Sequence, residues 1–335
     1  MRSLRLKIDP RIESSLTHLM SRTNNGEKFF GRVELAKMRS LLRQVADYCG
    51  LELRTHALMP NHPHVLVFNP VWKQDPDDEE LLRRYRVLNP GPETKYRSKR
   101  LDVIAAHLKA NTEEGIEWRR KQLAQMGDLS QLMKIFKQRF TAWFNKRHGR
   151  TGTIWGGRFK SVLVEGRAEA LLTVSGYIDL NPVRAGLVRD PKDYGFSGYA
   201  EAVAGNRLAQ QGIMRTLNLP TWDLAQAEYR KVLYSIGAKP RAKGRVMSLE
   251  DLDDVAAKDG KLTLAETLRC QIRQFSDSVV FGTTEFVAKQ LAGFQKANRR
   301  KRPGRPRPLP PVTDWRGATD CGLLTIESLV DGYGQ

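Results

Sequence analysis

Two histidines, His62 and His64, stand two positions apart in the segment MPNHPHVLV, residues 59–67. Alternate residues of a β-strand point to the same face, so both imidazoles can approach one cation as neutral ligands. Leu66 stands where a histidine-triad hydrolase would carry a third alternating histidine, and no cysteine lies nearby to complete a structural zinc site. The pair therefore indicates a metal site, although two neighbouring histidines can equally be a satisfied polar pair.

A tyrosine and an asparagine form the second chemical motif, within SGYIDLNPVRAGLV at residues 175–188. Tyr177 and Asn181 are four residues apart on a predicted helix and so share one face. Pro182 can end that helix and leave the asparagine carbonyl at its edge. A tyrosine hydroxyl beside a divalent cation can attack a phosphodiester, and a hard cation accepts the asparagine oxygen. The alternative is that Tyr177 is an ordinary tyrosine at the edge of the core.

Residues 131–160 combine eight Lys and Arg side chains with aromatic residues and contain no acidic residue. Cationic side chains can follow phosphates while aromatic faces stack on unpaired bases. Helical spacing predicts that the aromatic residues of the first half are core: Phe136, Phe140, Trp143 and Phe144. We predict DNA contacts from the loop that follows and from Arg184 in the tyrosine motif; the loop residues are Lys146, Arg147, Arg150, Trp155, Arg158 and Lys160.

The elements that must position these residues alternate between strands and helices, which predicts a sheet with helices packed on it. Strands are predicted at 14–23, 51–58, 64–68 and after the basic loop, and helices at 32–48, 130–146 and 168–180. The polar, proline-interrupted residues 70–128 are predicted to be an insertion with a helix near 77–87. An extension over 185–240 is predicted to pack on the core.

The remainder of the chain has a different character. A linker near 238–246 separates the predicted catalytic domain, 1–240, from a helical accessory domain at 247–295. Within the accessory domain, 276–291 could form a DNA-binding helix-turn-helix. The tail, 296–335, is basic and rich in proline.

Part of this tail, RRKRPGRPRP, resembles an AT-hook, which lies in the narrow minor groove of A·T-rich duplex DNA. The contacts would come from Arg302, Arg305 and Arg307 around the Gly304-Arg305-Pro306 centre. A solvated basic linker is the alternative, because short basic strings of this kind arise readily.

Charge is the strongest global clue to function. The 335 residues carry a formal net charge of +19 and a pI of about 10.0, and a folded protein this basic usually binds a polyanion. The sequence contains no apolar run long enough to span a bilayer and begins without an apolar signal core, so neither a membrane location nor secretion is expected. Three isolated cysteines favour a reducing, cytoplasmic setting.

Taken together and in order, three segments resemble the HUH single-tyrosine transposases, and within them the REP-associated branch of bacteria. The segments are MPNHPHVLV, RHGRTGTIWGGRFKSVLVE and GYIDLNPVRAGLV, and the first strand THLMSRTNNGEKFF also matches. The resemblance covers residues 14–200, and 247–290 resemble the extension of longer members. Pro63 departs from the family pattern, which prefers a bulky hydrophobe there; a proline in a sheet is expected at a strand start or edge.

The resemblance implies an α+β fold: a ferredoxin-like core whose central antiparallel sheet carries the histidines (the HUH endonuclease fold), with a mainly helical C-terminal extension. It implies that Tyr177 is the nucleophile and that His62, His64 and Asn181 bind Mg²⁺ or Mn²⁺. The implied substrate is single-stranded hairpin DNA, cut to a 5′-phosphotyrosine and a free 3′-OH and rejoined without ATP. A bacterial, nucleoid-associated monomer is favoured over a dimer.

Two other functions remain open from the sequence. One is a domesticated protein that binds hairpin DNA and no longer cuts it. The other is a metal-dependent nuclease in which water attacks and Tyr177 is structural. A covalent protein–DNA adduct distinguishes the transposase from both.

Overall fold

The computed structural model describes residues 6–90, 95–237, 278–298, 307–308 and 321–325. Its strands are β1 Ser15–Met20, β2 Glu52–Met59, β3 His62–Asn69, β4 Lys160–Val164, β5 Ser278–Thr283, β6 Arg307–Pro308 and β7 Cys321–Thr325. Its helices are α1 Arg32–Cys49, α2 Asp78–Leu88, α3 Lys95–Lys109, α4 Glu113–Leu123, α5 Leu129–His148, α6 Ala168–Asp179, α7 Asn181–Arg184, α8 Gly198–Val203, α9 Arg207–Leu217, α10 Trp222–Gly237 and α11 Thr284–Asn298.

Four antiparallel strands form one side of the sheet, in the order β2-β3-β1-β4, and β5, β7 and β6 continue the sheet beyond β4. With α1 between β1 and β2, and α5 between β3 and β4, the chain follows the βαββαβ order of a ferredoxin-like core. The predicted α+β fold class with a central antiparallel sheet is therefore confirmed. Pro63 lies at the second position of β3, opposite Leu58, which agrees with its expected place at a strand start.

Alternation along the strands divides the core between the two faces of the sheet. Leu19, Leu58 and Val65 point to the face covered by α1 and α5, where they pack with Met38 and Phe140. The predicted core positions of α1 are all buried: Leu35, Met38, Leu41, Leu42 and Val45. In α5, Phe136, Phe140 and Phe144 are buried and Trp143 is half-buried, as helical spacing indicates.

The opposite face of the sheet is covered by α6 and by the helices of the extension. Leu16, Met20 and Leu66 pack there with Ile178 of α6 and Tyr229 of α10. Helix α6 ends at Asp179, and Pro182 lies inside the short helix α7 that follows. The predicted stop of α6 is thus correct to within two residues, because Pro182 is accommodated in the first turn of a new helix.

The insertion at 70–128 is more ordered than its composition indicates. The helix predicted near 77–87 is α2, and α3 and α4 follow it. Arg119 of α4 forms two hydrogen bonds with Asp78 at 2.6 and 2.7 Å, and Gln122 accepts a bond of 2.7 Å from the Tyr48 hydroxyl on α1. The Arg119–Asp78 bonds join α4 to α2 within the insertion, and the Tyr48–Gln122 bond attaches the insertion to the core.

The helix-turn-helix prediction for 276–291 is wrong. Residues 278–283 form the strand β5, which pairs in parallel with β4 through Leu163–Val280 and Val164–Phe281, and α11 follows it. Val279, Val280 and Phe281 are buried, so three successive β-favouring side chains determine the strand once β4 offers a free edge. Residues 278–283 of the predicted accessory domain therefore belong to the sheet.

Other C-terminal predictions lie outside the described residues: the linker at 238–246, the helices from 247 to 277, and the AT-hook-like residues 299–306. Arg307 is described only through its backbone in β6, which pairs with β7. Among the described helices, none is long and apolar enough to cross a membrane.

The outer edge of β2 is closed by two helices that approach it through glycine. A Cβ atom on Gly212 of α9 would overlap the carbonyl oxygen of Arg54, and one on Gly198 of α8 would overlap the Thr55 side chain. In addition, Leu58 donates its backbone N–H to Phe196 at 3.0 Å, which covers the edge beyond the helices. The glycines thus allow α8 and α9 to seal an otherwise exposed sheet edge.

We expect Gly212→Ala to lower the free energy of unfolding by about 1–3 kcal/mol, since the added methyl overpacks the contact with Arg54. The matched control is Gly293→Ala on α11, where a Cβ meets no atom within 4 Å. That substitution should raise the free energy by about 0.5–1 kcal/mol, because alanine has the higher helix propensity. Urea unfolding followed by circular dichroism measures both, and a Gly212→Ala protein as stable as Gly293→Ala would contradict the close approach.

Candidate active site

The two motif histidines lie at the start of β3 with their side chains on the face covered by α6. His64 pairs with Met20 of β1 and with Ala57 of β2, and His62 pairs with Met59, so all of these share one face. The two imidazole rings are 4.7 Å apart between centroids. The alternation expected from the sequence therefore brings the histidine pair together.

The orientation of His62 is set by a chain of hydrogen bonds through the β2–β3 turn. Asn61 donates its side-chain amide to the Gly26 carbonyl at 2.8 Å, so its carbonyl oxygen faces Nδ1 of His62. Because that oxygen can only accept, Nδ1 of His62 carries the proton. The lone pair of His62 is thereby placed on Nε2, where it is available to a cation.

A third histidine, His18 on β1, completes the cluster and was missed by the sequence reasoning. Its Nε2 lies 3.0 Å from Nδ1 of His64, and the two rings are stacked with centroids 5.1 Å apart. Both side chains are buried, with His18 1% and His64 3% exposed. The available signal was its position: a histidine at the centre of a buried strand, next in the sheet to the strand that carries the motif.

Tyr177 projects from α6 onto this cluster. Its ring centroid is 5.7 Å from that of His64 and 5.9 Å from that of His18, both edge-on. The side chain is only 3% exposed. The structure thus brings the predicted nucleophile together with the predicted metal ligands, and it holds that nucleophile beneath a cover of neighbouring atoms.

Asn181 is fixed beside the tyrosine by its own amide group. Its Nδ2 donates to the backbone carbonyls of Tyr177 at 2.9 Å and Ile178 at 3.4 Å. Although α6 ends before Asn181, these bonds hold its side chain against the last turn of α6, on the face that the i, i+4 spacing predicts. With the nitrogen directed to the helix, the amide oxygen is the atom that remains to bind a cation.

The surroundings of the cluster are electropositive. Burial, with a further contribution from the Arg22 guanidinium, lowers the pKa of His62 to about 4. Burial likewise places the pKa of His64 well below its usual value, with contributions from His62, His18, Arg184 and Arg22. Both imidazoles are therefore neutral near pH 7, as metal ligation requires.

Two arginines are the source of much of this positive field. Arg184 lies with its guanidinium carbon 5.0 Å from the centroid of the Tyr177 ring and donates to the Tyr177 carbonyl at 3.3 Å. Arg22 is exposed just beyond β1 and was not among the sequence-predicted residues. Only its proximity to His62 in space, which the sequence does not give, identifies it.

A buried carboxylate, Asp179, attaches the tyrosine helix to the rest of the molecule. It accepts bonds from the Thr55 hydroxyl at 2.9 Å, the Tyr229 hydroxyl at 2.6 Å and the Tyr199 backbone N–H at 3.2 Å. Burial raises the pKa of Asp179 to about 6, while these donors oppose the shift. Three elements, β2, α8 and α10, thus converge on a residue two positions from Tyr177.

The donor set fits a divalent cation of limited protein ligation. His62 and His64 offer neutral imidazole nitrogens and Asn181 offers an amide oxygen, a combination that suits Mn²⁺ and leaves positions for water or phosphate oxygens on either Mn²⁺ or Mg²⁺. In the described part of the chain, no three His, Cys, Asp or Glu side chains form a metal-binding group. A closed structural metal site is therefore not what these residues build.

The basic loop is held at the same end of the sheet as the histidines. Three backbone hydrogen bonds hold it there. The N–H of Gly156 donates to the Arg22 carbonyl at 2.9 Å, and the N–H of Asn24 donates to the Ile154 carbonyl at 3.0 Å. The N–H of Thr23 donates to the carbonyl of Asn61, in the β2–β3 turn, at 2.9 Å. The loop, the end of β1 and the turn before His62 are therefore one continuous surface. Of the predicted DNA contacts, Arg150 and Arg158 are exposed on this loop, Lys146 and Arg147 are exposed in the last turn of α5, and Lys160 is exposed at the start of β4.

Trp155 does not belong with these contacts, which corrects the sequence prediction. Its side chain is 4% exposed and packs with Phe30, Phe136 and Phe140, and its indole N–H donates to the Thr141 hydroxyl at 3.0 Å. Burying the indole ring stabilises the fold more than exposing it on a loop would, and the indole N–H has its hydrogen-bond acceptor in Thr141. The tryptophan anchors the loop and has no free face for a base.

No protein-family model matches the chain, and no curated protein matches it. Among solved structures, the chain is similar to a REP-associated tyrosine transposase determined with a bound REP hairpin, at 17% sequence identity and a TM-score of 0.32. That similarity covers 57% of this chain and 80% of the other.

We expect Asp179→Ala to lower the free energy of unfolding by about 3 kcal/mol, because three buried donors lose their acceptor. Asp179→Asn should cost less, since its amide oxygen can still accept. Asp193→Ala, at an exposed site, is the control and should change stability by no more than about 0.5 kcal/mol. Equal midpoints for Asp179→Ala and the control in chemical denaturation would exclude the proposed role of Asp179 in anchoring α6.

Proposed function

We propose that this protein is a metal-dependent endonuclease and transposase that cleaves and rejoins single-stranded hairpin DNA through Tyr177. The observation that carries the proposal is the position of the tyrosine ring, 5.7 Å from the ring of His64 on the face where both motif histidines lie. A phenol, two neutral imidazoles and an amide oxygen together are the components of a tyrosine nuclease. Hairpin specificity follows only from the resemblance of the three sequence motifs.

The metal would be Mg²⁺ or Mn²⁺, held by Nε2 of His62 and His64 and by the Asn181 side-chain oxygen. When bound, the ion draws negative charge from the oxygens of the scissile phosphate. The depressed pKa values of the two histidines support this assignment, since neither imidazole must lose a proton at neutral pH before it can act as a ligand.

In the cleavage step, the Tyr177 hydroxyl oxygen attacks phosphorus and gives up its proton to solvent. The bond between phosphorus and the 3′-oxygen breaks, and that oxygen takes a proton to become a free 3′-OH. The products are a 5′-phosphotyrosine and a strand end, and reversal of the same step rejoins them. The phosphodiester energy is kept in the tyrosine ester, so no nucleotide cofactor is required.

The DNA backbone would cross the surface formed by the end of β1 and the basic loop. Arg22, Arg158 and Lys160 are exposed there, beside the turn that carries Asn61 and leads to His62. Arginine and lysine position a phosphate backbone without reading sequence. Arg184, over the tyrosine ring, is the contact nearest the scissile phosphate in this arrangement.

One observation favours a second candidate function. Tyr177 is 3% exposed, so DNA can reach its hydroxyl only if covering side chains move, and Arg184 is one of these. If they do not move, the same cluster could act as a metal-dependent nuclease in which water attacks and the tyrosine is structural. The two candidates differ in one product, the covalent protein–DNA adduct.

We expect incubation with 3′-labelled hairpin DNA and Mn²⁺ to give a slowly migrating covalent species on a denaturing gel, because the phosphotyrosine retains the strand downstream of the cut. Tyr177→Phe should abolish the adduct and reduce cleavage by at least about 10³-fold, because no other group forms the ester. EDTA should abolish both. Tyr85→Phe is the matched control and should retain the adduct, because Tyr85 lies on α2 and packs on the face of the sheet opposite the histidines.

Cleavage that survives Tyr177→Phe without any adduct would transfer the chemistry to water. Tight binding without cleavage in Mg²⁺ or Mn²⁺ would instead indicate a hairpin-binding protein that has lost its activity.

We also expect Arg150→Gln with Arg158→Gln to weaken DNA binding and to reduce the slope of log K against log salt by about 1.4, at roughly 0.7 per phosphate contact on a single strand. Lys231→Gln with Lys289→Gln is the control, because it removes the same charge from exposed sites on α10 and α11. Fluorescence anisotropy at several salt concentrations measures the slope. An equal change in both double variants would show that the loop acts only through net charge.

A further inference from the structure

His18 is a buried polar residue that the proposed chemistry does not use directly. It lies in the middle of β1, between β3 and β4, opposite Leu66 on one side and Val162 on the other. Its neighbours on this face of the sheet are mostly apolar, and its side chain is 1% exposed. A histidine in such a position loses hydration, so its ring nitrogens need partners within the protein.

The partner seen for Nε2 of His18 is Nδ1 of His64, at 3.0 Å. One of these two nitrogens must carry the proton and the other must accept it. If His18 donates, the neutral His64 ring holds its own proton on Nε2 and has no lone pair there. If His64 donates from Nδ1, its Nε2 keeps a lone pair. Only the second arrangement allows Nε2 of His64 to bind a cation.

His62 supports the second arrangement by its own contacts. Its Nδ1 faces the Asn61 carbonyl oxygen, which only accepts, so its lone pair is on Nε2. Two ligands that both present Nε2 at ring centroids 4.7 Å apart can meet at one cation. A His64 tautomer protonated on Nε2 would leave His62 as the only one of the two imidazoles with an Nε2 lone pair for the cation.

We propose that His18 is a positioning residue: it accepts the Nδ1–H of His64 and so fixes the tautomer and the ring orientation with which His64 binds the metal. The proposal rests on the proposed function in one respect, that His64 is a ligand. The carboxylate or carbonyl that commonly accepts the distal N–H of a metal-bound histidine is here replaced by a second imidazole. An imidazole accepts with one nitrogen only, so the orientation of His18 is itself constrained.

His18 also contacts the ring of Tyr177, so it can influence the nucleophile as well as the metal ligand. The tyrosine ring is edge-on to both His18 and His64, at 5.9 and 5.7 Å between centroids. Rotation of either imidazole would therefore also alter the packing of the nucleophile. Removal of His18 should affect metal affinity and tyrosine position together, whereas removal of His62 should affect the metal alone.

The direct test is the tautomer of His64 in the full chain, without metal and without DNA. Long-range ¹H–¹⁵N NMR of ¹⁵N-histidine-labelled protein reports which ring nitrogen carries the proton, and His64→Gln assigns the signal. We expect His64 to be protonated on Nδ1 in the natural protein. In His18→Leu, we expect the Nε2–H form to become substantially populated. His18→Gln, whose amide oxygen can accept, should retain the Nδ1–H form.

Mn²⁺ affinity, measured by electron paramagnetic resonance of the free ion, is the second readout. We expect His18→Leu to weaken binding about 10–100-fold and His18→Gln to restore it to within a few fold of the natural protein. Thermal unfolding of each variant identifies a simple loss of fold, which would lower melting temperature and affinity together in both variants.

A natural protein with His64 protonated on Nε2 would overturn the proposal without any variant. An unchanged tautomer in folded His18→Leu would also overturn it. These outcomes are separate from failure of the proposed function: an Nδ1–H tautomer in a protein that forms no adduct with DNA would leave the role of His18 intact and reject only the tyrosine chemistry.

Discussion

The register between β1 and β3 is the constraint on which the candidate site depends. Met20 faces His64 and His18 faces Leu66, which places both histidines on the side of the sheet that α6 covers. Because side chains alternate along a strand, a slip of one residue between β1 and β3 would turn one of the two rings toward α1 and α5, away from the other ring and from Tyr177. The apolar alternation of these strands, with Leu19 and Val65 on one side and Leu16 and Leu66 on the other, enforces that register.

Around this sheet, the molecule positions its reactive groups through contacts of their backbone neighbours. Asp179 fixes the end of α6, Asn61 fixes the ring of His62, and the Asn181 amide donates to the backbone carbonyl of Tyr177. Each is a polar group whose partners are buried or half-buried, where a hydrogen bond is lost at a high energetic cost. Rigidity at the site therefore comes from a surrounding shell of amides and carboxylates.

Much of the core could be predicted from sequence, because period-2 and period-3.6 patterns determine strands and helices with well-separated faces. The histidine pair and the Tyr177–Asn181 pair were found because each is local along the chain. His18, Arg22 and Asp179 were not, since their roles depend on contacts across the sheet that no spacing reveals. Trp155 and residues 278–283 were misassigned for a related reason: burial against Phe136 and pairing with β4 are tertiary effects that override local composition.

The parallel pairing of β4 with β5 has a consequence for biosynthesis. All four strands of the ferredoxin-like core emerge from the ribosome well before residues 278–283, so the nascent domain can close while the outer edge of β4 still lacks its neighbour. An unpaired edge is a site of intermolecular association, and joining strands distant in the chain is slow. Truncation upstream of β5 would therefore be expected to yield a folded but aggregation-prone fragment.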